Sequence, residues 1–132
     1  NEIKKNFKNF LILRLSKVYS TNKNHNTFLT QTLKKSKNYL FFDQYVHYLD
    51  YFDLEKILKK IFHKKNLKGT FNIPGKVFSS RYNFIKLFLN KIKNKRTQIF
   101  PISVKTKKNL PNTLKLKTKL FKKISFYPKN SF

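Results

Sequence analysis

The run from Asp53 to Phe100, DLEKILKKIFHKKNLKG (53–69) continuing as TFNIPGKVFSSRYNFIKLFLNKIKNKRTQIF (70–100), decides what fold this chain can take. Its first part reads as an amphipathic helix. Leu54, Ile57, Leu58, Ile61 and Phe62 recur at helical spacing, while Lys56, Lys59, Lys60 and Lys64 fill the other side. Asp53 stands where an N-cap belongs and Glu55 falls in the first turn, where the helix dipole favours negative charge. Leu67-Lys68-Gly69 closes the helix with the residue that turns left-handed most easily. From Thr70 to Pro74 the chain reads as extended, because a residue before proline avoids the helical region and Phe71 and Ile73 alternate with polar neighbours.

The remainder of this run is ambiguous. Phe84, Ile85, Phe88, Leu89 and Ile92 fit a helix capped by Ser79 or Ser80, yet Tyr82 to Leu89 also alternates in strand fashion, so residues 79–95 stay open between the two. Lys91 to Arg96 reads as a basic turn. Gln98 to Lys105 reads as a strand whose Pro101 confines it to an edge or a bulge.

Upstream, aromatic density between Tyr39 and Phe52 predicts a strand over Gln44 to Phe52. Tyr19 to Asn38 is polar and reads as a loop or linker, with His25 in solvent or on a phosphate. Phe10 to Leu13 fits a short strand or one to two helical turns. The first twenty residues partly resemble a basic targeting segment; with arginine scarce and no cleavage signal, an element of the mature protein is the expectation. Asn109 to Phe132, with Pro111 and Pro128, reads as a basic strand or extended tail.

Charge narrows the function. The chain has 31 basic and 5 acidic residues in 132, a formal net charge of +26, which a free globular monomer would feel as self-repulsion. Such a chain is expected against a polyanion, whose phosphates it would neutralise with release of counterions. Phe, Tyr, Ile, Asn and Lys dominate and alanine is absent, as an AT-rich reduced genome would produce, and this points to a mitochondrion first and a plastid second. There is no cysteine, hence neither a disulfide nor a thiolate metal site, and no run of eighteen apolar residues that could span a membrane. Four of the five acids lie between Asp43 and Glu55, and His25, His47 and His63 show no ligand spacing, so a nuclease or other enzyme lacks its convergent groups.

Several of these residues also resemble a known family. Phe52-Asp53, Gly69, Ile73-Pro74-Gly75-Lys76, Arg81-Tyr82-Asn83-Phe84-Ile85, Asn90-Lys91 and Arg96-Thr97-Gln98 followed by Phe100 are similar, in order, to the small-subunit ribosomal protein ten family in a divergent organellar form. The resemblance runs over about Phe52 to Lys105. It implies an α+β, ferredoxin-like small sheet with one clear helix and a long basic hairpin, and it resolves Arg81 to Leu89 toward strand.

The expectation is therefore a basic N-terminal extension over 1–38, a core α+β domain over 39–108 and a basic C-terminal tail over 109–132. The function expected is that of a non-enzymatic structural constituent of the small subunit of an organellar ribosome. Its partners would be ribosomal RNA and neighbouring ribosomal proteins, with no cofactor, metal, small-molecule substrate or membrane span. Lys76, Arg81, Lys91, Lys93, Lys95, Arg96, Lys105, Lys107, Lys108, Lys115, Lys117 and Lys119 would contact RNA, mostly through phosphates. The alternatives are another lineage-specific mitoribosomal protein or a basic protein that compacts DNA or RNA.

Overall fold

The computed structural model describes Glu2, residues 9–107 and residues 109–129. Thirteen elements follow one another: β1 (Leu11–Leu15), β2 (Lys17–Tyr19), α1 (Phe28–Lys34), β3 (Lys37–Phe41), β4 (Tyr45–Asp50), α2 (Tyr51–Phe62), β5 (Gly69–Ile73), β6 (Val77–Ser80), α3 (Arg81–Lys91), β7 (Gln98–Ile102), a 3₁₀ turn (Val104–Thr106), β8 (Thr113–Leu114) and α4 (Leu120–Ile124).

The first two strands are one extended run that changes partner at Ser16. β1 lies parallel to β5, with Leu11 opposite Gly69 and Leu15 opposite Ile73. Ser16 then donates its N–H to the Ile73 carbonyl at 3.1 Å, and β2 continues parallel to β4, Lys17 opposite Tyr48. Gly75 holds this junction. Its N–H donates to Ser16 Oγ at 3.0 Å, its carbonyl accepts from His47 Nδ1 at 2.9 Å, and a Cβ there would lie 1.7 Å from the Tyr48 carbonyl oxygen. Only a residue without a side chain lets these backbones approach so closely. β6 returns antiparallel to β4, β8 pairs with β4 in parallel, and β3 pairs in parallel with β7.

Successive residues of a strand point to opposite faces, and β4 uses both. Tyr48 enters one apolar cluster with Tyr19, Leu29 of α1, and Phe84, Ile85, Phe88 and Leu89 of α3. Leu49 enters another with Ile73, Ile57 and Ile61 of α2, and Leu120, Phe121 and Ile124 of α4. Helices thus cover both faces of strands that pair mostly in parallel, the layering of an α/β fold.

The α+β ferredoxin-like sheet with a long basic hairpin is not what forms. Its hairpin needed Arg81 to Leu89 as a strand, but Ser80 accepts from Asn83 N–H at 3.2 Å and starts α3. The buried positions 84, 85, 88 and 89 of α3 then follow the helical period, with Leu87 59% exposed. Local periodicity contained that answer, and the family resemblance led away from it.

Smaller corrections have similar causes. Asp50, not Asp53, caps α2, accepting from Phe52 and Asp53 N–H at 2.9 and 3.3 Å, while Asp53 is buried in the first turn and accepts from Lys129 N–H at 2.8 Å. The polar stretch before Asn38 contains α1, whose apolar anchors Phe28, Leu29 and Leu33 are few but well placed. The tail contains β8 and α4. Among the described residues no helix is long and apolar enough to cross a membrane.

Candidate functional site

β2 and β4 run parallel and end side by side, at Tyr19 and Asp50. In open α/β sheets the crevice outside the carboxyl ends of the strands is where ligands settle. The two segments that leave those ends here enclose a hollow of about 770 Å³, with Lys17, His25, Phe28 and Gln31 on one side and Tyr51 and Leu54 on the other. An adjoining hollow of about 360 Å³ shares Phe28 and Gln31 and extends to Tyr39 and Arg81.

The loop between β2 and α1 is tied down by polar contacts. Ser20 Oγ accepts from Asn22 N–H at 3.1 Å and lies 2.8 Å from His25 Nδ1, and the His25 ring packs against Tyr51 with centroids 4.3 Å apart. Thr27 N–H donates to Thr30 Oγ1 at 2.9 Å, which opens α1 and places Phe28 at the mouth. Beneath it lies a stack of aromatic rings. Tyr48 and Phe84 are parallel with centroids 3.8 Å apart, Phe28 meets them at 5.3 and 5.6 Å, and Tyr19 meets Phe84 edge-on at 5.0 Å.

Two cations close the top of this stack. Lys17 Nζ sits 5.5 Å from the centre of the Phe28 ring. Burial, and secondly the Arg81 charge, hold the Lys17 ammonium below the usual lysine range. Arg81 is half-buried at the first position of α3, where the helix dipole disfavours a cation, and no acid lies in that first turn. Neither cation has an ion pair among the described residues. Arg81 Nε and the Tyr48 hydroxyl are both buried without a hydrogen-bond partner. Burial raises the Tyr48 pKa well above the usual phenol value, against a smaller opposing pull from Arg81, so this hydroxyl stays protonated. Lys17 lines the larger hollow and Arg81 the adjoining one, so two cations without counter-charges face one joined crevice and are arranged to receive an anion, while Tyr48 lies fully buried beneath and lines neither hollow.

Among the residues expected from sequence to bind phosphate, Arg81 alone lines this crevice. Lys93, Lys95 and Arg96 come together in another hollow beyond the end of α3, where Lys91 is the last helical residue. Lys76 donates to the Lys129 carbonyl at 3.1 Å. Lys105 lies in the 3₁₀ turn and Lys107 just after it, both exposed, and Lys108 lies outside the described residues. Lys115, Lys117 and Lys119 are exposed in the tail, Lys115 with its Nζ 5.9 Å from the Phe78 ring centre. Sequence reading missed Lys17, Phe28, Tyr48 and Tyr51 as site residues, because each looked like one more lysine or aromatic in a chain full of both. The described residues hold no group of three His, Asp or Glu side chains that could bind a metal.

No protein-family model and no curated protein sequence matches the chain. Solved structures do match it. A dTDP-4-dehydrorhamnose reductase from Bacillus anthracis in complex with NADP superposes on 96% of this chain with a TM-score of 0.76 at 18% identity, using 45% of its own length. A dTDP-glucose 4,6-dehydratase from the same organism, in complex with NAD, gives 0.70 over 92% of this chain and 40% of its own at 14% identity. A UDP-glucose 4-epimerase from Thermotoga maritima with UDP-glucose gives 0.68 over 93% and 42% at 16% identity. The chain thus has the α/β fold of these proteins and spans less than half of their length.

This likeness overturns the ribosomal assignment. The fold is that of sugar-nucleotide reductases, dehydratases and epimerases, and it is not the fold of the small-subunit ribosomal protein ten family. The expected ribosomal RNA and ribosomal protein partners, the nucleic-acid-compacting alternative and the expectation of a non-enzyme lose their basis with it. The physical reason is that +26 of charge says only that anions are near. It does not distinguish an RNA backbone from a phosphorylated small molecule.

Proposed function

We propose that this chain forms the substrate-holding part of an NAD(P)-dependent enzyme that modifies a sugar linked to a nucleoside diphosphate. The observation that carries this reading is the pair of half-buried cations without counter-charges, Lys17 at the start of β2 and Arg81 just after β6, which line the two adjoining hollows beside the Tyr48–Phe84–Phe28 stack. Several solved structures of this fold are described as dTDP- or UDP-sugar enzymes, and two of them were solved with UDP-glucose or with UDP. A diphosphate would neutralise Lys17 and Arg81. Aromatic side chains at both ends of the paired hollows, Tyr51 and Tyr39, offer faces for a base or a sugar ring.

The residues of this chain do not fit the dinucleotide itself. A dinucleotide fingerprint needs G-x-G-x-x-G between a strand and a helix, so that backbone can approach the pyrophosphate at the helix N-terminus. The only glycines are Gly69 and Gly75, at the start of β5 and at the Ser16 junction, and neither opens a helix. In this reading the dinucleotide is held by the portion of the fold that this chain does not span. Lys17 and Arg81 orient the diphosphate above the aromatic stack.

Calorimetric titration of the chain with UDP-glucose and with NAD tests this. UDP-glucose is expected to bind saturably and NAD to give no heat above dilution. Arg81→Gln is expected to weaken UDP-glucose by at least about tenfold, the loss of one charge-assisted contact. Saturable NAD binding, or UDP-glucose binding that Arg81→Gln leaves unchanged, would sink the proposal.

A further inference from the structure

α1 has a second hollow on its other side, about 660 Å³ in volume, between the helix and the loop that joins α3 to β7. Lys23, Lys34, Lys93, Lys95 and Arg96 line it, and no acid does. The four acids from Asp43 to Glu55 are accounted for elsewhere. Asp43 accepts from Ser103 Oγ and Val104 N–H, Asp50 and Asp53 serve α2 and the tail, and Glu55 pairs with Lys59. Five like charges around one concavity repel one another over a screening length of about 10 Å, and a cleft of one sign concentrates counterions.

The loop that presents them is built rather than loose. α3 ends with Lys93 N–H on the Asn90 carbonyl at 3.2 Å and Asn94 N–H on the Leu89 carbonyl at 3.0 Å, the paired bonds of a left-handed helix stop. The left-handed residue, where glycine is normally used, is Lys93 with φ 50°. Asn94 Oδ1 then accepts from Arg96 and Thr97 N–H at 2.8 and 3.2 Å, fixing the backbone on which Lys95 and Arg96 stand. A strained lysine at a glycine position points to a use for its side chain. Leu33 and Ile92 complete the lining with an apolar floor, so the hollow suits an organic phosphate better than a bare ion.

We propose that this hollow is a second anion site, for a small organic molecule bearing at least two phosphoryl groups, separate from the crevice at Lys17 and Arg81. It is independent of the function proposed above, because no residue that lines it lines that crevice, although α1 contributes to both. Lys95 and Arg96 supply the charge, Lys93 closes over the phosphates, and Leu33 and Ile92 take the organic part.

Titration with inorganic pyrophosphate at fixed ionic strength reads the charged half of the site. Lys95→Gln combined with Arg96→Gln is expected to weaken pyrophosphate at least tenfold. Lys56→Gln combined with Lys60→Gln, which removes the same charge from the exposed side of α2, is expected to change it less than twofold. Pyrophosphate also fits the crevice at Lys17 and Arg81, so both double variants are compared in a Lys17→Gln background, where the remaining binding reads this hollow alone. Lys93→Gly is expected to weaken pyrophosphate while melting no lower than the unchanged protein, since glycine relieves the left-handed backbone. Equal weakening by the two double variants would reduce the effect to net charge and overturn the proposal. Absence of pyrophosphate binding to the unchanged protein would do the same.

Discussion

Tyr48 and Leu49 are neighbours on β4, yet they belong to different environments. The Leu49 face is aliphatic: Ile57, Ile61, Ile73, Leu120 and Ile124 fill it, with Phe121 at its border. The Tyr48 face is aromatic, and its upper end carries a buried phenol without a partner and two cations without counter-charges. The first face is there to hold the sheet. The other carries two cations that repel in the empty protein and are matched by an anionic ligand, the usual arrangement at binding sites.

Gly75 is the point where both faces can be broken together. Its backbone bonds to Ser16 and His47, and the position of a Cβ, 1.7 Å from the Tyr48 oxygen and 2.4 Å from Leu49 N, is already occupied by β4. Gly75→Ala must push β4 away from the Ser16 junction, and the neighbour that has to move is backbone, which yields little. The expected loss exceeds about 3 kcal/mol, in the range reserved for forced backbone displacement or core disruption. Thermal unfolding followed by circular dichroism should show a much lower midpoint or no cooperative transition. A midpoint within a few degrees of the unchanged protein would show that the junction is not as tight as the distances imply.

A pair of single substitutions one residue apart then separates the faces. Leu49→Ala deletes fully buried aliphatic surface and is expected to cost about 2–5 kcal/mol, while UDP-glucose affinity of the folded fraction stays within twofold. Tyr48→Phe removes only a hydroxyl that is buried and unpaired, so stability should be unchanged or rise by about 1 kcal/mol, since an unsatisfied buried group is a cost. The same variant's UDP-glucose binding should stay within twofold, since the hydroxyl lines neither hollow. Denaturant titration and calorimetry on both variants read the contrast. It collapses if Leu49→Ala and Tyr48→Phe impair stability and binding in the same proportion.

The contrast also explains what could be read from the sequence. α2 was legible because its apolar and cationic positions alternate within one short segment, and β4 because aromatic density is local. α3 was half-legible: Ser80 and the spacing of Phe84, Ile85, Phe88 and Leu89 specified it, but a resemblance carried by Gly69, Pro74 and Arg81 outweighed them. The parallel pairings of β1 with β5 and of β3 with β7 join strands far apart in the chain, and no local pattern announces such partners. The crevice was illegible for the same reason. Lys17, Phe28, Tyr48 and Arg81 come from four elements, and among 31 basic and 22 aromatic side chains none of them is conspicuous. Arg81 was picked out for its charge, although what distinguishes it is burial without a partner.

The smallest expected effect is the sharpest probe of the cation pair, because it has a definite sign in pH. Burial first and Arg81 second lower the Lys17 pKa from the ordinary 10.5, so the folded protein releases this proton at a lower pH than the unfolded chain does. Between those two values the unfolded state binds more protons, and stability contributed by this group therefore rises with pH. Below the folded value the penalty for a half-buried ammonium beside Arg81 is present in full. Lys17→Met removes the penalty, so it should melt at or above the midpoint of the unchanged protein at neutral pH, with the difference shrinking as pH approaches 10.5. Saturating UDP-glucose should reverse the order at neutral pH, because the ligand stabilises only the protein that retains the charge. If Lys17→Met is the less stable form at neutral pH without ligand, and by an amount that pH does not change, Lys17 is a packing residue and the anion must be sought elsewhere.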